Sequence, residues 1–172
     1  MGNTARGSEE VTSHLDASEQ KVVDDIRDYG CSVMHVFDAD GDLPEFSYSI
    51  GFPETVEQPE VIVFGVKREV RHFMINEIQR QCVEGLKLQD GLRISGLIEG
   101  WNCVAKYVTD AGAIREHFGW ALWYHDAQRD AAMHDAFQIV WPGAEQGLFP
   151  WEPDCDPIVM ERQPALYEGA AQ

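Results

Sequence analysis

The sequence predicts an α+β domain whose sheet is mostly antiparallel, with barrel-like closure as one option and two or three helices packed on it. Three observations lead there. Strand-like stretches come as near neighbours joined by short turns. Helix-like stretches sit between those groups. The regular strand–helix–strand alternation that a doubly wound sheet needs is absent.

The elements can be taken in chain order. Residues 1–15 are small and polar and read as a mobile tail; residues 16–168 read as one domain. Asp16 and Glu19 have the spacing of a capping box, and Val22, Val23, Ile26 and Tyr29 recur at helical spacing before Gly30. Residues 31–37 predict a strand, and the Asp38–Asp42 stretch a turn with Gly41 free to take positive φ. Phe46, Tyr48, Ile50 and Phe52 then alternate with Ser47, Ser49 and Gly51, giving a strand with one aromatic face and one small polar face. Residues 61–64 are a continuous apolar run, the mark of a central strand. A helix follows over about 67–84, with Val70, Phe73, Met74, Ile78 and Cys82 as its apolar stripe. Residues 92–98 and 101–108 predict two more strands, with Trp101, Cys103, Ala105 and Tyr107 on one face of the second. Asp110 suits the cap of a short helix ending near Phe118, and residues 120–134 read as partly helical. Phe137, Ile139 and Trp141 alternate on a last strand that Pro142 and Gly143 stop. The remainder reads as extended chain wrapping the domain.

Bulk properties narrow the function classes. The 172 residues carry 30 acidic and 13 basic side chains, a formal charge of −17. Such a chain repels phosphate, so neither nucleic acid nor an anionic membrane is expected as a partner. A basic protein partner would be steered towards it. No apolar run reaches bilayer length, no leader-like segment opens the chain, and Cys31, Cys82, Cys103 and Cys155 lack zinc or redox spacing; these point to a cytoplasmic protein with reduced thiols.

No catalytic constellation is legible. There is no nucleophile elbow, no phosphate-binding glycine loop and no H-E-x-x-H. The doublets His125-Asp126 and His134-Asp135 lack further ligands at helical spacing and read as surface residues. Asp38-x-Asp40-Gly41-Asp42 places its glycine too early for an EF-hand, and Glu152-x-Asp154-x-Asp156 reads as a solvated loop. Neither cofactor nor metal is expected. Five tryptophans stand out, and Phe149-Pro150-Trp151 is a stiff segment whose two rings are expected to bury against the body near Trp141 and Tyr48.

Three segments carry a resemblance when taken in order: Phe46 to Phe52 (FSYSIGF), Pro59 to Val66 (PEVIVFGV), and Gln138 to Pro142 (QIVWP). The last runs on to Gly147–Glu152 (GLFPWE), with Gln163, Pro164 and Leu166 near the end. The set resembles a bacterial family known only as domain of unknown function 4262, over about residues 18–166. Two positions depart from the family's pattern. Gln58 stands where a histidine often precedes Pro-Glu, and Gly143 where an aspartate often follows Trp-Pro. The resemblance implies a fold and a bacterial origin, and no activity.

The leading expectation is therefore a non-enzymatic binding protein with an acidic face for a protein partner, an immunity or antitoxin-like role being one form. The alternative is a small-molecule binder or enzyme whose aromatic pocket is lined by Tyr48, Trp101, Trp141 and Trp151, with Glu60 as a polar group.

Overall fold

The computed structural model describes residues 14–168. Residues 1–13, most of the expected tail, lie outside that range.

Helix α1 (Ala17–Tyr29) starts at the capping box: Glu19 N–H donates to Asp16 at 2.8 Å, and Asp16 N–H donates to Glu19 at 3.0 Å. It ends at Gly30, and Val22 and Ile26 are its buried stripe, while Tyr29 stays exposed. Strands β1 (Ser32–Val36) and β2 (Phe46–Ile50) form a hairpin. Its turn is built by Asp38, whose carboxylate accepts from the N–H groups of Asp40, Asp42 and Leu43. The strand expected to continue through Phe52 stops earlier, and Phe52 opens a one-turn helix α2 (Phe52–Thr55). Pro53 has no N–H for a ladder and is favoured at the first turn of a helix.

Strand β3 (Glu60–Phe64) is fully buried and leads to α3 (Arg68–Val83). The two strands expected over 92–108 are unequal: β4 (Arg93–Ile94) is two residues long, β5 (Cys103–Val108) six. Helix α4 (Ala111–His117) carries the expected Asp110 cap, and α5 (Gly119–Trp123) passes into a π-helical turn over Tyr124–Gln128. Strand β6 (Ala136–Val140) precedes α6 (Pro157–Arg162) in the segment that was expected to be extended throughout. Asp156 caps α6 through the Ile158 N–H, and Pro157 suits its first turn.

The six strands lie in the order β1-β2-β3-β6-β5-β4, antiparallel except for β3 beside β6. The sheet is open, with β1 and β4 at its edges, so the barrel option is not taken. The parallel β3–β6 pair is joined by a long crossover through α3 to α5, and helices cover both faces. Six α-helices occur among the described residues, against two or three expected. On one face α3 contributes Met74, Ile75 and Ile78 against Val61, Val63, Ala105 and Ile139. On the other, Val22, Ile26, Ile114 and Phe118 pack on Tyr48, Ile50, Ile62 and Phe64. The C-terminal segment does wrap the body: Val159 reaches the first face, and Phe149 covers Val104 and Val140 elsewhere on the sheet.

Candidate functional site

A groove of about 840 Å³ lies at β1. Its two walls are helical ridges. Lys21, Asp25 and Tyr29 stand four residues apart on α1, and Arg68, His72 and Asn76 stand four apart on α3. Eight residues of helix advance about 12 Å, close to the roughly 13 Å that a five-residue strand spans. Each ridge therefore runs about the length of β1, whose Ser32, Val33 and His35 line the space between.

The α1 wall is compensated internally. Asp25 accepts from Lys21 Nζ at 2.8 Å and from the Ser32 hydroxyl at 3.2 Å. The α3 wall rests on a buried arginine that the sequence did not reveal. Arg71 is 1% exposed. Its Nη1 donates to the carbonyls of Gly65 (2.9 Å) and Val66 (2.8 Å), its Nε to the Ser47 hydroxyl (2.8 Å), and Glu45 lies 3.5 Å from Nη2. Val66 sits at φ +45°, an unusual value for a β-branched residue, and the arginine clamps that turn.

Ser47 Oγ also lies 2.6 Å from His35 Nδ1, and His35 Nε2 lies 3.3 Å from His72 Nδ1. Arginine only donates, so Ser47 accepts from Arg71, and His35 Nδ1 is the acceptor found within reach of the Ser47 hydroxyl proton among the described residues. If Ser47 donates to His35 Nδ1, the His35 proton sits on Nε2 facing His72 Nδ1, and the His72 N–H is the outer end of the chain. Burial, with Arg68, His72 and Arg71 nearby, lowers the His35 pKa to about 4, which keeps this ring neutral. Cys31 Sγ donates to Asn76 in the same groove, and burial pushes its thiol up to about 12, so it is not a nucleophile near neutral pH.

A second polar cluster is sealed inside. Glu60 is fully buried at the start of β3. Oε1 accepts from Ser49 Oγ (2.7 Å) and Phe52 N–H (3.1 Å); Oε2 accepts from Gly51 N–H (2.7 Å) and His125 Nε2 (2.6 Å). Arg129 Nη1 donates to His125 Nδ1 at 2.8 Å, which fixes the proton on Nε2. Burial, together with the hydrogen bond that Tyr124 donates to Glu54, raises the tyrosine pKa. His125 is 1% exposed, so the surface reading of its doublet is corrected; His134 does lie on the surface. The π-helical turn tucks the ring inwards, where Glu60 satisfies it.

The five residues expected to share a pocket do not meet. Tyr48 is sealed under α5, where its hydroxyl accepts from the Trp120 N–H and burial lifts its pKa to about 12. All four lone-pair directions of Glu60 are taken. Trp141 is buried on the opposite face from Tyr48, its indole N–H donating to the Phe64 carbonyl at 2.7 Å. Trp101 is 40% exposed and lies over Gly147. Trp151 keeps 43% exposure, stacked on the buried Phe149, with Lys106 Nζ 5.1 Å from its ring centre. Only Phe149 of the expected pair is buried, because the strand surface beneath accommodates one ring and the second stacks on it. Among the described residues no group of three or more His, Cys, Asp or Glu side chains is placed to hold a metal ion.

Of the two positions that depart from the resembled pattern, Gln58 accepts the Leu88 N–H at 2.9 Å. Gly143 leaves only 3.2 Å between an added Cβ and Val159.

Architecture and groove together define a three-layer mixed α/β domain with one long open sheet edge. The chain belongs to the family described as domain of unknown function (DUF4262), whose match covers residues 25–156. No curated protein and no solved structure gives a significant match.

Proposed function

We propose that the protein is a binding domain that takes up an extended segment of a partner protein along β1, in the groove between α1 and α3. The contrast between the two sheet edges carries this reading. β4 is two residues long and includes an exposed arginine, the usual way of blunting an edge. β1 is five residues long and contains no lysine, proline or acidic residue. In an antiparallel pair every second residue turns its N–H and C=O away from the partner strand, so β1 offers a ladder to an incoming chain. Exposed Tyr29 and Phe37 flank its two ends, and Phe73 stands beside His72 on α3. These rings offer apolar contact to a segment laid along the edge. The net charge of −17 would draw in a basic partner from a distance.

The test is amide hydrogen exchange. Peptides selected from a random displayed library should slow exchange at alternate amides within Ser32–Val36, and Tyr29→Asp and Phe37→Asp should weaken them. Protection confined to another surface would overturn the proposal. So would protection that rises with protein concentration without peptide, since the occupant would then be a second copy.

A further inference from the structure

We infer that the α3 wall of this groove reads a carboxylate on the bound segment, through Arg68 and the Nε2–H of His72. This deepens the proposed function and rests on it.

The argument starts from hydrogen direction. Arg71 is the obligate donor at the buried end of the chain, and Ser47 is fully buried with His35 Nδ1 as the acceptor for its proton. Each link passes the donor outwards: Arg71 to Ser47, Ser47 to His35, His35 to His72. In this arrangement His72 accepts at Nδ1 and keeps its N–H at Nε2, and this residue is exposed on the groove wall. The outer end is thus a donor with its polarity set from the core.

One turn earlier on the same ridge stands Arg68, exposed and without a carboxylate within salt-bridge distance among the described residues. It lies close enough to His35 to help keep that ring neutral. The other polar groups of the groove are engaged: Asn76 with the His72 carbonyl and the Cys31 thiol, Asp25 with Lys21 and Ser32. Glu69 is the remaining acid here and forms no ion pair among the described residues. The groove therefore holds two lysine or arginine residues against two acids, plus two histidines, in a chain where acids outnumber bases 30 to 13. An arginine and an imidazole N–H on one ridge suit a carboxylate oxygen pair. Long-range attraction of a basic partner and short-range reading of one acid in its segment are separate requirements.

The test uses two capped five-residue peptides of alternating threonine and valine, one with a central glutamate and one with glutamine. Both are titrated into the whole protein and followed by amide and imidazole nitrogen NMR. The glutamate peptide should bind about ten-fold more tightly, as a charged hydrogen bond implies. Arg68→Gln should bring the glutamate peptide down to the affinity of the glutamine peptide. His72 should carry its proton on Nε2 in the free protein. Equal binding of both peptides, with β1 amides protected, overturns the carboxylate reading and leaves the proposed function standing. A His72 protonated on Nδ1 also overturns it. Binding of neither peptide overturns both.

Discussion

The Nε of Arg71 donates to the hydroxyl of Ser47 at 2.8 Å, and this bond in the core decides which way protons point at the surface groove. Arg71→Met keeps the shape of the side chain but leaves Ser47 and the Gly65 and Val66 carbonyls without their donor. A loss of about 3–5 kcal/mol is expected in urea unfolding. His35 should then show a mixture of tautomers by nitrogen NMR, a readout that lost stability alone would not produce.

His35 makes stability depend on pH. Its folded pKa of about 4 lies below the usual value near 6.5. Between those values the unfolded chain takes up a proton that the folded chain refuses. Stability from this group is therefore complete above about 6.5 and falls as pH drops towards 4. Urea midpoints at pH 7 and pH 5 should differ more for the wild type than for His35→Gln. An equal drop in both would show that His35 does not titrate in this window.

Glu60 gathers four donors from β2, the start of α2 and the π-helical turn. Glu60→Gln sets an amide NH₂ against N–H groups and should cost about 3 kcal/mol. Selected peptides should still protect β1 in this variant under conditions where it is folded, because the cluster does not line the groove.

The two tryptophans of the resembling segments should behave differently. Trp141→Ala empties a buried site and removes the bond to Phe64, an expected loss of about 3–5 kcal/mol. Trp151→Ala removes a stack on Phe149 and a contact with Lys106, worth about 1–2 kcal/mol together. Melting temperatures of the pair decide it; equal losses would mean that Trp151 is buried more deeply in solution.

Two glycines at similar φ separate backbone strain from crowding. Gly65 (φ +67°) would place a Cβ 2.8 Å from the Trp141 ring and 3.2 Å from the Arg162 carbonyl; Gly41 (φ +73°) meets nothing within 4 Å. Gly41→Ala should cost about 1 kcal/mol and Gly65→Ala at least about 2 kcal/mol more, read from denaturant midpoints.

Local patterns in the sequence carried much of the fold. The Asp16–Glu19 box, the Asp110 cap, the Asp38 turn and the β2 alternation are short-range signals, and each is realised where it is written. Boundaries failed where a local preference met a stronger one: Phe52 continued an alternation, but Pro53 and the Glu60 carboxylate turned the chain into a helix. Family membership was likewise legible, because the order of the aromatic and glycine segments is a property of the chain itself.

The groove and its chemistry were not legible. The small polar face of β2 was visible, but not that Ser47 sits there to meet Arg71, 24 residues on, or that Ser49 meets Glu60. Periodicity marks apolar faces, and an arginine one residue from a stripe reads as solvated until a helix packs it over a serine. His125 joins Glu60 across 65 residues through a π-helical turn that shifts its ring inwards. Short-range patterns in the chain set most of the strands, the longer helices with their caps, and the acidic charge. Only the tertiary structure decided which strand became an open edge, which helices walled it, and which polar groups were left facing out, because those depend on partners that meet through packing and not through spacing along the chain.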